Sequence, residues 1–153
     1  MSCIMDNPVI ITATATIVAS SISSLVAYLV ACRSKKYSEI SRIDEQILKF
    51  NTIAVEYPYL EDDDFCKGWI ERSKQDERYM RYDNYCCIVF NLIETLWEHF
   101  NGDKKKIDNY LGVKELALRH RQWWESEVQN EEGYSKKFRT FIDNYIEGES
   151  QNN

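Results

Sequence analysis

A stretch of 24 residues without a charged side chain, residues 9–32, is the feature that most constrains how this chain folds. It reads VIITATATIVASSISSLVAYLVAC and lies between Asp6 and Arg33. At 1.5 Å per residue, an α-helix of this length spans about 36 Å, which exceeds the roughly 30 Å of a bilayer's hydrocarbon core. The mean hydropathy of the whole chain is -0.51, so the segment stands out against a polar background. We therefore expect a transmembrane helix over residues 9–32.

The charges that flank this segment predict its orientation. Residues 1–8 contain no Lys or Arg, whereas basic residues follow the segment closely, namely Arg33, Lys35, Lys36, Arg42 and Lys49. Loops rich in Lys and Arg stay on the cytoplasmic side of a membrane. We therefore expect a single-pass membrane protein with a short extracytoplasmic N-terminus, residues 1–8, and a cytoplasmic C-terminal domain. The lipid bilayer is then a predicted partner.

Leu29-Val30-Ala31-Cys32 allows a competing interpretation, because it matches the site at which bacterial lipoprotein signal peptides are cut and lipidated. Residues 33–153 would then lie outside the cytoplasm. A signal peptide normally opens with a basic region, and MSCIMDNP carries an acid instead. The sequence favours the transmembrane helix and leaves open whether Cys32 is lipidated, since a juxtamembrane thiol in a spanning protein is also a site for palmitoylation.

Small residues recur every fourth position along the predicted span: Ala15, Ala19, Ser23, Ala27 and Ala31. Small side chains let two helix backbones approach closely, and such packing drives helix association in lipid. This stripe predicts a helix–helix interface, with a second copy or with another membrane protein. The alternative is that Ala and Ser are simply frequent in a weakly hydrophobic anchor.

The remainder of the chain predicts an all-α domain. Only five Gly and two Pro occur in 153 residues, which favours long helices over a turn-rich sandwich or barrel. The longest helix is expected over residues 73–100, where apolar residues recur at intervals of three and four. The acids at residues 61–64 are expected to cap a short helix. The predicted organisation is a juxtamembrane helix at 33–54, a bundle of about four to five helices at 55–147, and a disordered tail at 148–153.

Charge and motifs exclude several classes of function. A net charge of -6 opposes binding to nucleic acid, which needs cationic surface against the phosphates. No nucleotide-binding glycine loop is present, and neither His99 nor His120 belongs to a Glu-x-x-His pair of the kind found in di-iron bundles. Cys86 and Cys87 are expected to be reduced core residues, the alternative being a nucleophile paired with one of these histidines. No cofactor, metal site or catalytic residue is predicted, and the chain is not expected to be an enzyme.

The most distinctive string is RHRQWW at residues 119–124. Guanidinium groups beside two indoles are able to form a cation–π surface for an anionic ligand or a partner, and its members here are Arg119, His120, Arg121, Trp123 and Trp124. The alternative places one tryptophan in the core and the other against a neighbouring helix, with the arginines in solvent.

Asn91 and Glu94 lie within the apolar stripe of the longest predicted helix. Because buried polar groups require hydrogen-bond partners, the sequence predicts that these two residues join a buried network with Arg121 or His120.

Three strings carry a resemblance to a known group: YCCIVFNLIETLW at residues 85–97, HRQWW at 120–124 and FRTFI at 138–142. Together they resemble a pattern in uncharacterised bacterial single-span membrane proteins, over residues 75–146. The group carries no activity to transfer, so the resemblance implies only a helical cytoplasmic domain behind an anchor.

The sequence therefore predicts a membrane-anchored interaction or sensing module that associates through its transmembrane helix. Two other functions fit the same features. One is an accessory subunit of a larger membrane complex, and the other is a small membrane effector, for example in bacterial defence.

Overall fold

A computed structural model describes residues 8–72, 76–126 and 133–150, with the side chains of residues 8–18, 72, 149 and 150 outside the description. The described residues form helices and turns and contain no strand, which confirms the predicted all-α class. Their eight α-helices are α1 (Pro8–Glu56), α2 (Asp63–Cys66), α3 (Trp69–Arg72), α4 (Glu77–His99), α5 (Lys104–Asp108), α6 (Val113–Arg119), α7 (Arg121–Trp124) and α8 (Lys136–Ser150). A 3₁₀ turn occupies Pro58–Glu61.

The chain divides into two compact units, Met1–Arg42 and Ile43–Asn153. The first unit contains the beginning of α1, and every described side chain from residue 19 to residue 38 is exposed. Among the residues that the structure describes, no helix is both long enough and apolar enough to cross a membrane. Residues 9–18 of the predicted span lie outside the described side chains.

The end of α1 follows from local backbone chemistry. Pro58 lacks an N–H group and disfavours helical geometry at the residue before it. Tyr57 accordingly has φ -127° and ψ 72°, and α1 ends at Glu56, two residues beyond the expected end at residue 54. Asp62 then caps α2, because its side chain accepts a hydrogen bond from the Phe65 N–H at 2.8 Å. The predicted cap among residues 61–64 is confirmed.

Helix α4 begins and ends at residues whose side chains or backbones favour a helix terminus. Asp76 caps its first turn by accepting from the Arg78 N–H at 2.9 Å. Asn101 and Gly102 have positive φ values of 52° and 74°, a conformation that glycine adopts without strain. The Gly102 N–H donates to the Trp97 carbonyl at 2.8 Å, which closes the last turn. The observed end of α4 at His99 lies within one residue of the predicted end at residue 100.

The apolar stripe of α4 forms the centre of the core. Its buried members are Tyr79, Tyr82, Tyr85, Cys86, Val89, Phe90, Leu92, Ile93 and Leu96. Phe90 stacks on Trp123 with ring centroids 5.3 Å apart, and it also contacts Trp124 at 4.5 Å. Helix α8 covers another part of this core, where Phe138 meets Trp124 edge to face at 6.0 Å.

The segment expected to form one helix from residue 113 to residue 128 is interrupted at His120. Helix α6 ends at Arg119 and α7 begins at Arg121, with His120 at φ -95° and ψ 20°. His120, Trp123 and Trp124 all lie in the core, since residues three and four apart face the same side of a helical segment. Residues 127 and 128 lie outside the described part of the chain.

The predicted disordered tail begins too early. Helix α8 continues to Ser150, so residues 148–150 are helical. Residues 151–153 lie outside the described residues.

Candidate functional site

The second unit contains a dense group of buried polar side chains around His120, which we call the His120 cluster. It combines the 3₁₀ turn, α2, α4 and the junction of α6 with α7, and its members are Glu61, Cys66, Tyr82, Tyr85, Arg119 and His120. The side chain of His120 is completely buried, and that of Glu61 is 22% exposed. The cluster therefore connects the core to its rim.

The two ring nitrogens of His120 have different partners. Nε2 lies 3.3 Å from Oε1 of Glu61, and Nδ1 lies 3.0 Å from the hydroxyl of Tyr82. An ionised carboxylate only accepts hydrogen bonds, so Nε2 carries a proton and donates to Glu61. Nδ1 forms its hydrogen bond with the Tyr82 hydroxyl. Protein groups thus satisfy both nitrogens.

Glu61 is the carboxylate of the cluster and has three hydrogen-bond partners within it. Its Oε1 also accepts from the Tyr85 hydroxyl, and its Oε2 accepts from Nη1 of Arg119. Burial by itself raises the pKa of Glu61, but the hydrogen bonds from His120, Tyr85 and Arg119 and the attraction of His120 together lower this pKa to about 2. Glu61 is therefore ionised at neutral pH.

Arg119 extends the cluster to the surface. Its Nε donates to Oδ1 of Asp63 at 3.1 Å while Nη1 donates to Glu61. These bonds join the 3₁₀ turn and α2 to the end of α6. The pKa of Tyr85 is raised, first by its own burial and then by its bond to the ionised Glu61. The cluster thus holds its charge as an ion pair close to the rim of the core.

Cys66, His120 and Glu61 have the order of a nucleophile, a base and an orienting acid. Sγ of Cys66 lies 3.8 Å from Nδ1 of His120, but its bond is to the Leu60 carbonyl at 3.3 Å. The side chain of Cys66 is fully buried, and burial raises its pKa to about 11. Only the thiolate is a nucleophile, so the geometry does not activate this thiol. Within the described residues, no three His, Cys, Asp or Glu side chains are placed to hold a metal ion.

The predicted cation–π surface at residues 119–124 is not formed, because its two tryptophans are buried. Trp123 and Trp124 are each 1% exposed, so neither indole is available for a surface cation–π contact. Their Nε1 atoms donate to Asp83 at 2.7 Å and Asp143 at 2.9 Å. The expectation of an exposed aromatic surface is wrong, because both rings pack in the core against Phe90. Of the other residues, only Arg121 is exposed, and it pairs with Glu125 at 2.6 Å.

The predicted network around Asn91 and Glu94 is also not formed as expected. Asn91 is exposed, so its amide is solvated rather than buried. Glu94 is partly buried, and its pKa is raised by that burial and by Glu98, against a backbone hydrogen bond from Ser135. Neither residue joins the His120 cluster, which instead contains residues that the periodicity of α4 assigned to the apolar core.

Of the predicted packing stripe, Ala19, Ser23, Ala27 and Ala31 are exposed on α1, and the side chain of Ala15 lies outside the described part. The hydroxyl of Ser23 donates to the Ala19 carbonyl at 2.9 Å. This bond removes an unpaired donor from the surface of the stripe, as is common for serine in apolar helices. The stripe therefore presents small, internally satisfied side chains.

Sequence reasoning missed Glu61, Cys66 and Tyr82 as members of a common site. Glu61 is the first of four consecutive acids, and the run predicted a cap, a role that Asp62 fulfils. The signal that pointed toward the cluster was a histidine within an apolar helix, since a buried imidazole requires two hydrogen-bond partners. The identity of these partners was not visible, because Glu61 and His120 are separated by 59 residues.

Two clefts lie in the second unit. One, of about 390 Å³, has lining charges of both signs: Asp63, Lys67, Glu115, Arg119 and Arg121. The other, of about 690 Å³, runs between the end of α1 and α4 and is mainly apolar, with Leu48, Ile53, Ile88 and Leu92 on its walls. Each cleft has one glutamine, Gln122 and Gln46 respectively, whose Oε1 is buried without a hydrogen-bond partner.

No family model matches this chain, and no curated protein or solved structure matches it either. The resemblance to bacterial single-span proteins stays a prediction. A function for the chain is therefore inferred from the geometry of its described residues.

Proposed function

We propose that this chain is a membrane-anchored helical module that associates through α1, with the second unit acting as an interaction domain in the cytoplasm. One observation carries the proposal. Large apolar side chains of the first unit are more than half exposed, from 53% for Val26 to 61% for Val30, with Ile22, Leu25 and Leu29 in between. A contiguous apolar surface of this kind is normally covered by a partner or by lipid, and we infer that lipid covers it here.

The distribution of side-chain size around α1 supports association within the membrane. At about 100° per residue, the mean direction of Ile22, Leu25 and Leu29 lies about 145° from that of Ala19, Ser23, Ala27 and Ala31, while Val30 points among the small residues. The large side faces lipid, and the small side allows the close approach of another helix. A second copy or another membrane protein is the partner.

The charges around α1 support a spanning helix with its N-terminus outside the cytoplasm. No charge occurs from residue 7 to residue 32, and three basic residues follow within four positions. Insertion with the N-terminus outside keeps these cations on the cytoplasmic side.

Exposed apolar side chains of the second unit support its role as an interaction domain. Among the described residues of this unit, four large apolar side chains are more than half exposed, namely Leu48 at 66%, Val55 at 80%, Ile70 at 67% and Met80 at 67%. Each of these side chains offers apolar area that a partner protein would remove from water. A partner that covers them in the cytoplasm fits a module tethered by α1.

The anchor is tested by expressing the full chain with Leu25→Arg and Leu29→Arg together and washing the membranes with alkaline carbonate. The matched control carries Val55→Arg and Ile70→Arg, which add the same charge to exposed apolar positions of the second unit. Each arginine costs roughly 3 kcal/mol in a spanning helix. We expect the native chain and the control to stay in the pellet and the span variant to be released. Release of the native chain would overturn the anchor.

The orientation is tested with fusions to the C-terminus. A fluorescent protein that matures only in the cytoplasm should be bright, and alkaline phosphatase, which is active only outside, should be inactive. The reverse result would overturn the orientation and favour the lipoprotein interpretation of Cys32.

A further inference from the structure

Three basic side chains follow the apolar part of α1 directly: Arg33, Lys35 and Lys36. All three are exposed in the first unit. With a rise of 1.5 Å per residue, they lie within about 4.5 Å along the helix axis. At about 100° per residue, Arg33 and Lys35 point about 160° apart, and Lys36 points between them. They therefore occupy an arc of about 160° at one level of the helix, and we call this arc the belt.

The belt has few charged neighbours along the chain. No acid occurs in residues 33–38, and the next one, Glu39, lies three residues from Lys36 and four from Lys35. The guanidinium of Arg33 contacts Tyr37, with Nη2 3.4 Å from the hydroxyl and its carbon 5.7 Å from the ring centroid. A contact of this kind orients the guanidinium without neutralising its charge. Tyr28 and Tyr37, which are 65% and 59% exposed, lie on either side of the belt along the chain.

We propose that Arg33, Lys35 and Lys36 form a cationic collar that binds the phosphate-bearing headgroups of anionic phospholipids. The proposal rests on the membrane anchor proposed above. The collar begins one residue after the apolar segment ends, at the depth where a spanning helix leaves the hydrocarbon core and meets the headgroups. Exposed tyrosines on both sides are typical of the same interfacial zone.

Arg33 is the best placed of the three for direct phosphate contact. A guanidinium offers paired N–H donors that match two oxygens of a phosphate, whereas an ammonium acts as a point charge. Tyr37 restricts the rotamers of Arg33, which lowers the entropy lost on binding. The two lysines add attraction to the negative surface that does not depend on their exact geometry.

The test uses the full chain reconstituted into phosphatidylcholine vesicles that contain a trace of spin-labelled lipid. Flotation of the vesicles first establishes that the chain is inserted. The spectra then give the fraction of motionally restricted lipid at the protein for spin-labelled phosphatidylglycerol and for spin-labelled phosphatidylcholine. We expect about a fivefold preference for phosphatidylglycerol, because its headgroup carries a net negative charge that phosphatidylcholine lacks. Raising the salt to about 0.5 M should reduce the preference.

The decisive variant is Arg33→Gln with Lys35→Gln and Lys36→Gln, and we expect its preference to fall to about one. The matched control removes three charges from exposed lysines of the second unit by Lys105→Gln, Lys136→Gln and Lys137→Gln, and it should keep the native preference.

Three results would overturn the collar. A native chain that floats with the vesicles but restricts both lipids equally would remove the collar and leave the anchor standing. A collar variant that keeps the preference would assign it to other residues. A chain that fails to float would overturn the anchor, and the collar with it.

Discussion

Nε2 of His120 lies 3.3 Å from Oε1 of Glu61 and connects the 3₁₀ turn at Pro58–Glu61 to the junction between α6 and α7. The contact closes a loop of 59 residues that includes all of α4. Because the imidazole is fully buried and the carboxylate is partly exposed, the pair marks the point at which the core meets the surface. Its contribution to stability is directly measurable.

Glu61→Gln should lower the free energy of unfolding by about 1–3 kcal/mol, because Arg119 loses one of its two charged partners and a buried hydrogen-bond network is disturbed. Denaturant unfolding of the full chain in mild detergent measures this loss. Asp64→Asn is the matched control, since Asp64 is an exposed member of the same acidic run, and its effect should stay below about 0.5 kcal/mol. Equal effects of the two variants would contradict a special role for Glu61.

The stabilisation from Glu61 should depend on pH in one direction. Its pKa falls from an ordinary 4.5 to about 2 in the folded chain, so the unfolded chain binds the proton first as the pH falls. The stabilisation is therefore complete above about pH 5 and is lost between pH 4.5 and pH 2. Unfolding measured over this range should show the native chain approaching the stability of the Glu61→Gln variant. A difference between them that stays constant down to pH 2 would contradict the lowered pKa.

The cysteines should differ sharply in reactivity. Cys66 and Cys86 are fully buried, whereas Cys32 is exposed, and burial raises the pKa of both core thiols. In the detergent-solubilised native chain, a maleimide should modify Cys32 within minutes and the two core thiols only after unfolding. Peptide mass spectrometry assigns the sites. Rapid modification of Cys66 in the native state would show that the His120 cluster is accessible to solvent.

Gly102→Ala should destabilise the chain by about 1 kcal/mol, since Gly102 has a φ of 74° that a side chain strains. An added Cβ would also lie 3.1 Å from Nε1 of Trp97. Gly148→Ala provides the opposite control, because a Cβ at this helical position meets nothing within 4 Å. It should leave stability unchanged or raise it by up to about 1 kcal/mol. Thermal unfolding of both variants separates backbone strain from general sensitivity to mutation.

Ala27→Leu should weaken association if the small face of α1 is an interface, because the larger side chain separates the two helix backbones. The readout is cross-linking of Cys32 between copies by a bismaleimide in membranes, in a chain that carries Cys3→Ser. We expect at least a threefold loss of the cross-linked product, whereas Leu29→Ala on the large side should keep it. Equal cross-linking of both variants would place the interface elsewhere.

Features that depend on neighbouring residues in the sequence were predictable. Pro58 ends α1 and Gly102 ends α4 because the backbone preferences of these residues act locally. Asp62 caps α2 for a similar reason, since its side chain reaches an N–H group three residues away. The periodicity of α4 likewise identified its buried face. These effects need no knowledge of the tertiary structure.

The buried polar partners were not predictable in this way. Asn91 lies within the apolar stripe of α4 and yet is exposed, while Asp83 of the same helix accepts the Trp123 indole. The periodicity of a helix predicts only roughly the direction in which each side chain points. A polar residue at the edge of an apolar stripe is buried or solvated according to which neighbouring helices pack against it.

By itself, the sequence determined that the chain is helical, where several of its helices end, and that an uncharged segment precedes a basic one, because composition and local backbone chemistry decide these properties. The tertiary structure alone decided that Glu61 meets His120, that both Trp123 and Trp124 are buried, and that Cys66 is enclosed. These contacts join residues far apart in the chain. Their geometry depends on how whole helices pack, and the free energy of that packing is shared among all the residues that contribute to the core.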